Sequence, residues 1–262
     1  MRPASNRVSE SFEEGRFSLG TSPSGVLYVE PRPAPRGVDI RFFTRRGGVS
    51  EAPFDSLNIS KSVGDDAEAV ERNLALTQEA LGGVPSAWVK QVAGDRVVEV
   101  EDGGFAGEAD GLITTSRDLS LVIGAADCAP VALVGKRAVG MVHSGWRGTL
   151  VGISGKAATR MERLESRAPV AYIGPCIRSC CYEVSEDLAR TFAEEFGESV
   201  VSGRMLSIPE AIEIDLRRSG VEEIHDTGLC TGCRGDLFFS HRKQKPKTGR
   251  NLAAIVRSGE VA

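Results

Sequence analysis

Histidine is scarce in this 262-residue chain: there are three, against six cysteines. A multi-copper oxidase centre draws on many imidazoles, so copper is not expected as a cofactor. Long apolar runs are absent too. The most hydrophobic window, LSLVIGAADCAPVALVG, is interrupted by Asp127 and divides into two strand-length pieces, so no segment is expected to cross a bilayer. Nor is there an excess of charge of one sign. A net charge of -4 and a pI near 5.6 supply no electrostatic reason to bind nucleic acid or an anionic membrane, which leaves small neutral or anionic metabolites as partners. The opening stretch MRPASNRVSESFEEGRF has no apolar core and carries Glu10, Glu13 and Glu14, which argues against a targeting peptide and for a cytoplasmic protein. In that compartment six cysteines are expected as thiols rather than as a disulfide framework.

What is present is a chain of ordinary globular composition, 41% hydrophobic and 26% charged, long enough to bury a core. Residues 1–25 lack apolar periodicity and are expected to form a flexible tail, with a single domain over 26–262. VLYVE and VDIRFFT read as strands, and the loop RRGGVSEAPFDSLN follows. GDDAEAVERNLALTQEALGG predicts an amphipathic helix capped by Asp65 or Asp66, with Val70, Leu74, Thr77 and Leu81 on one face and two glycines to stop it. Six short Val-, Ile- and Leu-rich runs from AWVKQV to AVGMVHS favour hairpins or a meander in a mixed sheet. Trp146 to Glu165 turns helical, and VAYIGP, a helix capped by Ser185, a Pro209-initiated helix, a strand near VEEIH and the strand NLAAIV complete the chain. With no internal repeat, one layered α/β or α+β domain is the simplest architecture.

Cys128 and His143 stand at the ends of two apolar runs in AADCAPVALVGKRAVGMVHSGWRG, about two strands and a turn apart, so they can meet at one end of neighbouring strands. Together they suit a nucleophilic thiol with its base, or two ligands of a soft metal such as zinc. The amides near Gly145 to Gly148 and the charge of Arg147 suit an oxyanion or phosphate. A buried free cysteine and a satisfied histidine are the bland alternative. FTRRGGVS joins Arg45 and Arg46 to two glycines, a composition for holding phosphate or carboxylate, or else an exposed charged turn. The CxxC of Cys230 and Cys233 is open to three readings: half a zinc site completed by Cys176, Cys180 and Cys181, a redox pair, or free thiols on neighbouring loops, the last being favoured.

In order and spacing, FTRRGGVSEAPFDSLNIS, VGDD, WVKQVAGDRV, ADGLIT, AADCAP, VHSGWRGT, IGPCIRSCCYEV, LCT, FFSHRK and TGRNLAAI resemble the laccase-domain family, also called the multicopper polyphenol oxidase or purine nucleoside phosphorylase family. The resemblance runs from about Val38 to Val256. It implies an α+β fold, a layered sandwich of mixed β-sheets flanked by helices (α-β-β-α), and a site where a His, a Cys and a second His hold zinc. It also implies phosphorolysis of purine nucleosides with inorganic phosphate as co-substrate, and adenosine deamination and methylthioadenosine phosphorolysis as companion activities. Cys128 and His143 map to the ligands and Arg45 to the glycine-rich loop, with Asn58, Gln91, Asp127, Arg147 and Glu183 expected around the substrate. The family's QVHG is QVAG here, so Ala93 stands at the first histidine position and offers a metal nothing. His225 and His241 are the remaining imidazoles. Two other expectations stand beside phosphorolysis: a Cys/His amidase acting on a cell-wall precursor, which needs no zinc, and a catalytically silent purine-binding relative.

Overall fold

The computed structural model describes residues 15–245 and 247–258. Three strands, β1 (Phe17–Thr21), β2 (Leu27–Pro31) and β3 (Val38–Phe43), precede helix α1 (Ala67–Ala80). Seven strands follow: β4 (Ser86–Lys90), β5 (Val97–Glu99), β6 (Gly104–Glu108), β7 (Gly111–Thr114), β8 (Ser120–Ala125), β9 (Ala129–Val134) and β10 (Val139–Ser144). Helices α2 (Trp146–Leu150) and α3 (Ile153–Glu165) lead to β11 (Val170–Ile173) and α4 (Glu186–Phe196). The short pair β12 (Val201–Ser202) and β13 (Met205–Leu206), then α5 (Ile208–Arg218), β14 (Ile224–Asp226), α6 (His241–Gln244) and β15 (Asn251–Arg257) complete the order.

Two mixed sheets stack face to face. One has seven strands in the order β1-β2-β3-β15-β8-β4-β6, and the other six in the order β14-β11-β9-β10-β7-β5. Period-two alternation in β15 shows how one strand serves two layers. Ala253 and Ile255 face the second sheet, packed with Leu112, Met141 and Tyr172, whereas Leu252, Ala254 and Val256 face the other way with Tyr28, Phe43 and Leu81. The outer face of the six-stranded sheet carries Val131, Leu133 and Ile173 against Ala157 and Met161 of α3, Phe192 of α4 and Ile212 of α5. The chain is thus the expected α+β sandwich, helix layer on sheet on sheet on helix layer.

Strand order differs from a meander. Consecutive strands β4 to β9 fall alternately in the two sheets, so only β9 and β10 form a hairpin among the six runs, with His143 opposite Pro130 and Ser144 opposite Ala129. Short apolar runs look alike whether they pair with the next strand or cross to the other sheet. Residues 17–21, inside the expected tail, form an edge strand paired with β2 from Phe17 opposite Pro31 to Thr21 opposite Leu27. The first fourteen residues of that expected tail lie outside the described residues.

Helix α1 starts at Asp66, whose carboxylate accepts the Ala69 N–H. Its buried stripe is Ala69, Val70, Asn73, Thr77 and Ala80, while Leu74, placed on that stripe by the sequence, is 36% exposed. Asn73 takes the inward position because its amide is fully used: Nδ2 donates to Ser50 Oγ and to the Ser56 and Asn58 carbonyls, and Oδ1 accepts the Val49 N–H. The helix therefore fastens the Arg-Gly loop to the sheet. The helical stretch 146–165 is broken at Gly152, whose φ of 69° turns α2 away from α3.

Candidate active site

Pairing of β9 with β10 sets the geometry of the opening stretch. Cys128 lies one residue before β9 and His143 one residue before the end of β10, so the register brings the cysteine beside Gly145. A β-carbon on Gly145 would stand 2.8 Å from Cys128 Sγ, which is why the residue there has none. The Cys128 side chain and the His143 ring interact electrostatically.

Behind His143 stands Asp110, a fully buried acid between β6 and β7. Its Oδ1 lies 2.8 Å from His143 Nδ1, and its carbonyl accepts the His143 N–H at 2.7 Å. The same carboxylate accepts three successive backbone N–H groups, from Val92, Ala93 and Gly94, at 3.1, 3.0 and 2.7 Å. Burial pushes the Asp110 carboxyl up, but the bond to His143 and the Gly94 and Val92 amides outweigh it and hold the group below the ordinary range. Burial also works against a charged His143. The interactions with Cys128 and Asp110 prevail, and they raise the imidazole to about 9. With Nδ1 turned to Asp110, Nε2 is left for the cysteine and whatever binds beside it.

Asp110 also decides where Ala93 sits. Ala93 N and His143 Nδ1 share one oxygen, Asp110 Oδ1, so the fold gathers positions 93, 128 and 143. Ala93 has a φ of 58°, a left-handed conformation that histidine tolerates better than most residues. The donor set nonetheless falls short of a catalytic zinc centre, which takes three protein ligands and keeps an open position: Cys128 and His143 supply two, and the Ala93 methyl none. His225 does not fill the gap. It lies on β14, stacked on Tyr172 with ring centroids 4.9 Å apart and bonded to Glu223. His241 is exposed at the start of α6, next to Arg242.

Several residues expected around the substrate are occupied elsewhere. Asp127 Oδ1 accepts Thr231 Oγ1 and Oδ2 accepts the Arg242 N–H, both at 2.7 Å, so its carboxylate clamps two loops onto the turn that carries Cys128. Arg45 is buried, with Nη2 on Asp55 at 3.0 Å, Nε on the Asp55 carbonyl, Nη1 on the Gly235 carbonyl and its guanidinium 4.4 Å from the centre of the Phe239 ring. Every nitrogen of that side chain is bound within the protein. Asn58 joins Asp65, Ser60 and the Arg250 N–H, and Gln91 exchanges two bonds with the Gly124 backbone, bridging β4 and β8. Glu183 is exposed and paired with Arg204 at 3.3 Å. Arg147 remains available: it is exposed and lies over the Trp146 ring at 4.7 Å.

Asp110, Tyr182 and Arg250 are the additions that sequence inspection missed. Burial raises the Tyr182 phenol and lowers the Arg250 guanidinium, and both groups lie within electrostatic reach of Cys128. Asp110 left one signal, an acid set directly against the apolar run GLIT. Its role needs the 92–94 turn, 16 to 18 residues away, to become visible.

Four other cysteines converge nearby. The ligand atoms of Cys180, Cys181, Cys230 and Cys233 all lie within 4.8 Å of one another, and this is the only such group of three or more His, Cys, Asp or Glu among the described residues, so it could hold a metal ion. Cys176 is not part of it. That thiol is buried in the core beneath the helices, and burial raises its pKa strongly.

The model of the multi-copper polyphenol oxidoreductase laccase family matches residues 39–258. Purine nucleoside phosphorylase YlmD of Geobacillus stearothermophilus is 35% identical over 244 residues, covering 83% of this chain and 89% of the relative. The purine nucleoside phosphorylase of Deinococcus radiodurans is 37% identical over 224 residues, covering 82% of this chain and 87% of the relative. Among solved structures, YlmD from Geobacillus stearothermophilus superposes with a TM-score of 0.83 at 31% identity, over 92% of this chain and 99% of that one. The Bacillus licheniformis hypothetical protein YfiH gives a TM-score of 0.83 at 29% identity, over 91% and 98%.

Proposed function

The chain belongs to the multi-copper polyphenol oxidoreductase laccase family, and from that membership we propose that it is a purine nucleoside phosphorylase, with inosine, adenosine and methylthioadenosine as substrates and phosphate as co-substrate. The observation that carries this is that relatives bearing that name align over 82% and 83% of the chain. In phosphorolysis a phosphate oxygen bonds to C1′ of the ribose while the C1′–N9 bond breaks and the purine takes up a proton. The Asp110–His143–Cys128 array suits the proton. Asp110 fixes the imidazole through Nδ1, and Cys128 together with Asp110 favours its charged form, so Nε2 can deliver a proton to the departing base. Phosphate would meet Arg147 at the start of α2 and Arg250, which lies within electrostatic reach of Cys128, rather than Arg45, whose every nitrogen is engaged. No step is assigned to zinc, because the site offers two donors; adenosine deamination, which needs an activated water, is assigned to a variant with histidine at 93. The cytoplasm is the proposed compartment.

Release of hypoxanthine or adenine from nucleoside in phosphate buffer tests this directly. Phosphate-dependent release, lost in Cys128→Ala, is the expected result. Absence of release by both the present chain and Ala93→His would overturn it. The in-line order of acid, imidazole and thiol also favours a second use, as a nucleophilic cysteine in an amidase. Selective alkylation of Cys128 by iodoacetamide, ahead of the exposed Cys180 and Cys233, is the result that reading requires.

A further inference from the structure

We propose that Cys180, Cys181, Cys230 and Cys233 form a closed, structural zinc site that ties together the two loops supporting the Cys128 turn. The phosphorolysis reading does not depend on it. A tetrahedral Zn²⁺ with sulfur at about 2.3 Å needs sulfur–sulfur edges of about 3.8 Å. Here the Cys180–Cys233 and Cys181–Cys233 edges are each 3.4 Å and all four sulfurs fall within 4.8 Å, so the observed edges bracket that value. No pair among them is joined as a disulfide. Four thiols gathered around one point from chain segments 52 residues apart make a complete ligand set with no open position, which is the mark of a structural rather than a catalytic site.

The surroundings are built for the same end. The Arg234 N–H donates to the Cys230 carbonyl at 3.0 Å, a tight turn that brings Cys233 back beside Cys230. Gly232, between the two cysteines of the CxxC, lies so close that a β-carbon there would stand 3.0 Å from Cys181 Cβ and 3.1 Å from its sulfur. Metal binding releases the thiol protons to solvent.

What the metal would fix is legible from the backbone. The Cys176 N–H donates to the Leu229 carbonyl and the Thr231 N–H to the Cys176 carbonyl, so the two ligand-bearing loops run side by side. Both also hold Asp127: Ile177 N–H donates to its carbonyl at 2.9 Å and Thr231 Oγ1 to its carboxylate at 2.7 Å. Locking these loops therefore holds the residue next to Cys128.

The full-length, untagged protein is purified anaerobically from zinc-supplemented culture, and its metal content is measured by mass spectrometry, with zinc release followed on titration by a mercurial. One zinc per chain is expected in the unaltered protein and in Cys128→Ala, and none in Cys233→Ser. Cobalt substituted into the unaltered protein should show intense thiolate-to-metal charge transfer, a readout that survives even if Cys233→Ser fails to fold. Zinc removal should lower the melting temperature by several degrees. The proposal is overturned if the reconstituted unaltered protein holds no zinc, if the zinc leaves with Cys128→Ala instead, or if the anaerobic protein carries disulfides among these four cysteines.

Discussion

Cys128 is a single thiol with a histidine and a buried acid lined up behind it. The thiols of Cys180, Cys181, Cys230 and Cys233 face one another instead, all within 4.8 Å. The two regions share Asp127, one residue from Cys128 and bonded to the CxxC loop through Thr231. Their difference teaches what a cysteine's neighbours decide. A sulfur beside a charged imidazole is set up to exchange protons or attack, whereas sulfurs that saturate one another's surroundings are set up to close a loop.

The largest expected effect separates them by activity. Cys128→Ala should cut turnover by about 10²- to 10⁴-fold with the melting temperature little changed, while Cys233→Ser should lower the melting temperature and leave most of the turnover at 25 °C; steady-state assay and thermal unfolding of the same samples decide. Equal losses of turnover in both variants would dissolve the distinction. Next comes Asp110→Asn. It keeps the shape but weakens the anchor of His143 and of three amide groups, so turnover should fall and stability should drop by about 1–3 kcal/mol in urea titration.

Arg45 tests the boundary of the active region. Because its guanidinium is spent on Asp55 and two carbonyls, Arg45→Ala should cost about 1–3 kcal/mol of stability without raising the KM for phosphate, whereas Arg147→Ala should raise that KM and leave unfolding unchanged. A raised KM in the Arg45 variant alone would return the phosphate to the glycine-rich loop. The smallest effect is at Gly232. Its replacement by alanine should weaken zinc retention several-fold against a competing chelator, through pressure on Cys181, with no change in turnover.

Much of this molecule can be read in the chain. An N-cap at Asp65 or Asp66, another at Ser185, the proline-started α5 and the alternation of NLAAIV follow from local rules, and the structure has those elements in place, with Asp66 taking the first cap. Cys128 and His143 could be paired from their spacing, since two strands and a turn return the chain to the same end of a sheet. Residues such as Arg45, Asn58 and Gln91 were harder to read, because a polar side chain in a glycine-rich loop has the same letter whether it holds a ligand or the protein's own backbone. Each turned out to have its hydrogen-bonding groups engaged inside the fold. Leu74 was misplaced for the related reason that Asn73, fully bonded, occupies the inward position of α1.

The sequence by itself determined most of the strands and helices, their N-caps and the absence of a donor at Ala93, because propensity, periodicity and ligand chemistry are properties of short segments, while its resemblance to a family implied the layered α+β class. Only the tertiary structure decided that strands β4 to β9 alternate between two sheets, that Asp110 is the buried partner of His143, and that four cysteines from two loops share one centre while Cys176 does not. Those facts depend on contacts between residues well separated along the chain, 33 positions for Asp110 with His143 and 53 for Cys180 with Cys233, and only closure of the fold brings such residues together.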